Sequence, residues 1–181
     1  MALILYAILP LWGVMGFADY LCHRASHIED TTGIRETFMH LGMGIQVGIP
    51  IFLALFFWVD ITVMLIAFVV FVTHEIVAHM DVAYAYSRRP ITIWEQQAHA
   101  YMCTIPFYLL SLLVVLNWGV FQNLIHGNWA GHMALTLRPE PAGGLGYVKT
   151  YLIFMGVLAY GPYMEELWRC WRALQRRKAL A

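Results

Sequence analysis

Five apolar stretches, at about residues 2 to 20, 38 to 59, 61 to 80, 100 to 121 and 147 to 164, cut most of this chain into segments near the length that crosses a bilayer. That pattern leaves few folds. Backbone in hydrocarbon must satisfy its own N–H and C=O groups, so only helices or a closed barrel span a membrane. A barrel needs strands of about ten residues with alternating polarity, and none of the five runs alternates. The expected fold is therefore all-α, an integral-membrane bundle of about five transmembrane helices. It is read as one domain over residues 1–181, with the site on helices within about 2–121 and a last span and basic tail at 147–181. Only Val59, Asp60 and Ile61 separate the second and third runs, which requires a tight turn at Asp60. The first run has no basic segment before it and no small-residue cleavage site after it, so it is read as a span rather than a signal peptide.

Composition agrees: 61% of residues are hydrophobic and 12% charged, outside the range of ordinary soluble domains. The formal net charge of +0 gives no footprint for a nucleic-acid partner. Charge placement is more informative. With five crossings, Arg24, Arg35, Arg88, Arg89, Arg169, Arg172, Arg176, Arg177 and Lys178 share the side of the C-terminus, against Arg138 and Lys149 on the other. The positive-inside rule then predicts a multi-pass protein of the cell (inner) membrane, with the C-terminus cytoplasmic and the N-terminus outside.

On that cytoplasmic side, metal-capable side chains recur in pairs four residues apart: His23/His27, Glu36/His40, Glu75/His79 and Glu95/His99. Residues at this spacing share one helix face. Each pair lies at the cytoplasmic end of one of the first four spans, so the topology gathers all four. Asp19 stands one turn before His23, and His74 and Asp81 share a side of the third span. Glu75 and His79 lie about 100 to 140° round the helix from His74. Imidazoles and carboxylates are the ligands used by iron, manganese and zinc, and a mixed set from four helices follows the logic of di-metal bundle cores. The expected centre holds two metal ions, iron first, with zinc or manganese as alternatives. Its candidate ligands are Asp19, His23, His27, Glu36, His40, His74, Glu75, His79, Asp81, Glu95 and His99, Asp81 alternatively orienting a histidine.

The same residues admit other readings. His74-Glu75-Ile76-Val77-Ala78-His79 lacks the spacing of a zinc protease, whose two histidines stand four apart. Ion pairing alone could explain Glu36 near Arg35, or Glu95 facing Arg88 or Arg89. A haem site has little use for three glutamates. A transport path should carry polar residues through the membrane, and the middles of spans two, four and five are almost wholly apolar. A non-catalytic metal-binding or structural subunit, or a zinc-dependent membrane hydrolase, remains as the alternative function.

Several features have ordinary expectations. Glu29 and Asp30 are expected to cap the following helix, and Glu165 to pair with Arg169 at i, i+4 beside Glu166. Gly44 and Gly48 let a neighbour approach closely. Cys22, Cys103 and Cys170 form no CxxC and are expected as free thiols. His126 and His132 fall in the long connection 122–146, which is expected to cover the outer mouth of the bundle. The Arg-rich tail suits anionic headgroups.

The string His23-Arg24-Ala25-Ser26-His27, an HxxxH box after a membrane span, followed by later histidine clusters on the same side, resembles the integral-membrane histidine-box di-iron enzymes: the fatty-acid desaturases, hydroxylases and alkane hydroxylases. The likeness covers about residues 19 to 99. The chain has no HxxHH box and carries more carboxylates than that class. The resemblance implies a di-iron oxidoreductase, activating oxygen at a reduced metal pair and oxidising a lipid-like substrate drawn from the bilayer. It further implies an electron-donor protein, since no flavin or nicotinamide fingerprint occurs; the Arg-rich cytoplasmic face offers it a docking surface.

Overall fold

A computed structural model describes residues 1–180, leaving the last residue of the tail, 181, outside it. The described residues are helical throughout apart from turns and loops, with no strand among them. Helix α1 opens with a wide π turn at Ile4–Ile8 and runs to Ala25; α2 is Ile34–Phe56, α3 Ile61–Tyr86 and α4 Ile93–Leu116. These four are long and apolar enough to cross a membrane. The fifth apolar run is also helical: α6 (Gly144–Met155) continues through a π segment, Gly156–Tyr160, into α7 (Gly161–Leu180). It is not one of the four, because Tyr147, Lys149, Tyr151, Tyr160 and Tyr163 dilute its apolar face.

The fourth run is not one helix to residue 121, as the hydropathy pattern suggested. It breaks at Asn117, whose side chain turns back to donate to the Leu113 carbonyl, and a short α5 (Trp118–Ile125) follows. The turn at Asp60 forms as expected. Its carboxylate accepts from the Val63 N–H at 2.9 Å, capping α3, and from the Leu135 N–H at 2.7 Å. Asp60 thus pins the long connection to the α2–α3 turn. Backbone bonds from Trp58 to Thr136 and from Arg138 to Phe56 continue the seam.

At this end the bundle is closed by apolar packing of Leu5, Leu9, Leu55, Tyr151, Met155 and Ala159. Gly13 makes the approach of α1 to α6 possible: a Cβ there would stand 2.8 Å from the Phe154 ring and 2.9 Å from the Met155 sulfur. Gly44 and Gly48 serve a ring rather than a backbone, since each faces Tyr160. The π segment widens the last helix just before the site, as such turns do near functional centres. It lies between Met155, which packs in the apolar end, and Tyr163, whose hydroxyl bonds Asp19.

Candidate metal centre

The helices converge at the other end on a buried polar cluster. Asp19 and His23 come from α1, Glu36 and His40 from α2, His74 and Asp81 from α3, and Glu95 and His99 from α4. All eight are buried. The spacing explains the inward face of three helices: Asp19/His23, Glu36/His40 and Glu95/His99 each stand one turn apart. On α3 the inward stripe is His74, Ala78, Asp81 and Ala85, the i, i+4, i+7 pattern of a packed helix face.

Three predicted ligands lie outside the cluster, and a fourth, His74, lines the adjoining cavity without joining any group of ligand atoms, among the described residues, close enough to share an ion. His27 falls beyond the end of α1 at Ala25, in a left-handed conformation at φ 50°, with its side chain 73% exposed. The HxxxH spacing therefore does not place both histidines on one helix. Glu75 and His79 point away because Ala78 and Asp81 fix the inner face of α3; His79 is exposed and Glu75 half-buried. Neither Glu29 nor Asp30 caps α2, which begins after Gly33 at φ 64°. Instead Glu29 pairs with Arg169 and Asp30 with Arg177, tying the α1–α2 loop to α7. The Glu165–Arg169 pair forms at 3.5 Å. The three cysteines are free.

Within the cluster the ligand atoms lie side by side. His99 Nε2 is 2.9 Å from Asp19 Oδ1, His23 Nε2 is 3.5 Å from Asp19 Oδ2, and His40 Nδ1 is 3.9 Å from the same oxygen. Yet His23 Nε2, His40 Nδ1, His99 Nε2 and Asp19 Oδ1 are buried without a hydrogen-bond partner. These atoms all lie within 4.8 Å of one another. Ligands about 2.0 to 2.2 Å from one cation stand roughly 3 to 3.6 Å apart, close to these separations. Asp19, His23, His40 and His99 could thus hold a metal ion, as could two neighbouring groups, His23/Glu36/Glu95 and Glu36/His40/Asp81.

The outer nitrogens of two histidines are fixed by carboxylates. His40 Nε2 meets Asp81 Oδ2 at 2.8 Å, so Asp81 fits the orienting role weighed for it. His23 Nδ1 meets Glu166 Oε2 at 3.0 Å, and Thr37 donates to the other oxygen of Glu166 at 2.9 Å. Tyr163 donates to Asp19 Oδ2 at 3.0 Å. Sequence reasoning gave Glu166 only a place beside an ordinary ion pair and assigned Tyr163 nothing. Both lie on the far side of a 140-residue separation that no local spacing bridges.

Arg89 forms the ion pair with Glu95 that the sequence offered as an alternative to ligation. Its guanidinium, 5% exposed, reaches in from the α3–α4 loop to donate to both Glu36 and Glu95. Burial opposes its charge, but the hydrogen bonds and negative charges of Glu95 and Glu36 outweigh that and push its pKa further up. The cluster opens onto a cavity of about 50 Å³ whose wall joins His40, His74 and His99 to Trp12, Met43, Met102 and Met155. His74 also lines a second, apolar cavity of about 110 Å³ reaching toward Leu116 and Met1. Neither ring nitrogen of His74 has a partner. Comparison with family models, with curated proteins and with solved structures finds no match.

Proposed function

We infer that this chain is a membrane-embedded metalloprotein with a two-cation centre, acting as an oxidoreductase on a hydrophobic, lipid-like substrate. The observation that carries the reading is the quartet of Asp19, His23, His40 and His99, buried and adjacent with their lone pairs unsatisfied. Charge supports it. Asp19, Glu36, Asp81, Glu95 and Glu166 are five buried carboxylates against one buried guanidinium, Arg89, leaving four uncompensated negative charges if the histidines are neutral. An unpaired buried carboxylate costs several kcal/mol, and two divalent cations would neutralise four. The mixed nitrogen and oxygen donors suit iron, then manganese or zinc.

Bound there, iron would supply redox chemistry with oxygen. The chain's own residues would do the rest: Asp81 and Glu166 hold His40 and His23 in fixed orientations, and Met43, Met102 and Met155 give the adjoining cavity an apolar wall against which a hydrophobic substrate would pack. Electrons would come from a separate donor protein. We further infer five crossings, counting the α6–α7 helix, in a cell membrane with the cluster end cytoplasmic, which suits the arginines gathered at that end. Arg89 favours one rival: a structural ion cluster, in which Glu36 and Glu95 answer only to its guanidinium.

Metal analysis of detergent-purified protein decides between them. About two equivalents of iron are expected from the charge count, the tighter one lost on His99→Ala; protein that takes up no cation would leave the structural cluster as the answer.

A further inference from the structure

The same two carboxylates that Arg89 holds belong to a group that could take a cation. Glu36 Oε1 and Glu95 Oε1 each stand 3.6 Å from His23 Nε2, a buried nitrogen with no hydrogen-bond partner. Arg89 Nη2 donates to both of those oxygens. A cation ligated by these three residues and a guanidinium bonded to the same oxygens would be two positive charges competing for one set of lone pairs.

We propose that Arg89 is a built-in counter-ion occupying the second cation site, and that cation binding to His23, Glu36 and Glu95 requires the guanidinium to leave. The proposal rests on the two-cation reading above. The loop suits such a movement. Arg89 follows the end of α3 at Tyr86, and its neighbour Arg88 lies outside, 3.8 Å over the Tyr84 ring. Tyr84 donates to the Thr32 carbonyl, fixing the loop's outer edge. Among the described residues Arg89 makes no side-chain bond beyond the two carboxylates, so its guanidinium can swing out while Arg88 holds the loop in place. The single lone pair of His23 Nε2 serves only one cation, so with the second site filled the first rests on Asp19, His40 and His99, none of whose atoms Arg89 touches, and it would fill without moving the guanidinium.

The test is titration of metal-free, detergent-purified protein with Fe(II) under exclusion of oxygen. Wild type is expected to bind one equivalent tightly and a second more weakly. In Arg89→Gln the second should tighten by about tenfold or more, the effect of removing a competing buried charge, with Arg89→Lys in between. A first equivalent that survives with the second unchanged overturns this proposal and leaves the metal reading standing. No binding in any form overturns both. Labelling of wild type with an arginine-selective dicarbonyl reagent needs no variant: Arg89 should become reactive only as the second equivalent fills, and constant protection overturns the proposal.

Discussion

The two ends of this bundle are made by the same helices under opposite rules. At one end Leu5, Leu9, Leu55, Tyr151, Met155 and Ala159 pack with no polar contact among their side chains. At the other, about 21 Å further along α1, Asp19 and His23 enter a cluster of buried acids, imidazoles and one guanidinium. Apolar packing is tolerant: each contact is small, and losing one leaves the others in place. Buried charge is not, because every group depends on partners whose removal strands it. The apolar end therefore sets how firmly the bundle is closed, and the polar end sets what it can hold.

The largest effect should come from Asp19→Ala. This carboxylate is shared among His23, His99, His40 and Tyr163, and breaking a buried charged network costs about 3 to 5 kcal/mol. The tighter equivalent of bound metal should vanish, and the melting temperature should stop responding to the first equivalent of added Fe(II). At the other end, Leu55→Ala should cost about 2 to 5 kcal/mol, the usual loss for a buried leucine, while metal content stays at the wild-type level. If it also emptied the centre, the two ends would not be separable. Smaller again is Glu166→Gln, which keeps a group to bond His23 but loses the charge. Metal affinity should fall by about 10- to 100-fold with the fold intact, read by Fe(II) titration.

Sequence made the helices legible because segments long and apolar enough to cross a membrane write themselves as length and apolarity. The Asp60 turn was equally plain, since no continuous helix could join two full spans. Of the site, those residues were found that lie one turn apart within one helix: Asp19 with His23, Glu36 with His40, and Glu95 with His99. The failures share one cause. Spacing assigns two residues to a face but does not say which face is inward, so on α3 the Glu75/His79 pair and the His74/Asp81 pair looked alike. Packing against α2 and α4 chose the latter. Glu166 and Tyr163 were missed because their partners are distant in sequence; the pairing of Arg89 with Glu95 was weighed and forms, but its hold on Glu36, 53 residues away, was not visible.

The smallest expected effect tests that distinction most directly. His27→Ala and His79→Ala remove histidines that fit the sequence pattern as well as His23 and His40 do, yet both are exposed and neither reaches the cluster. Exposed substitutions of this kind fall within about 0.5 kcal/mol, so metal content and melting temperature should match wild type. Loss of a cation in the His27 variant would mean that the short Ser26–Gly33 connection closes over the centre when metal binds. The boundary between the tolerant and the all-or-none end would then include that loop, and the HxxxH spacing would have been right for a reason other than helix geometry.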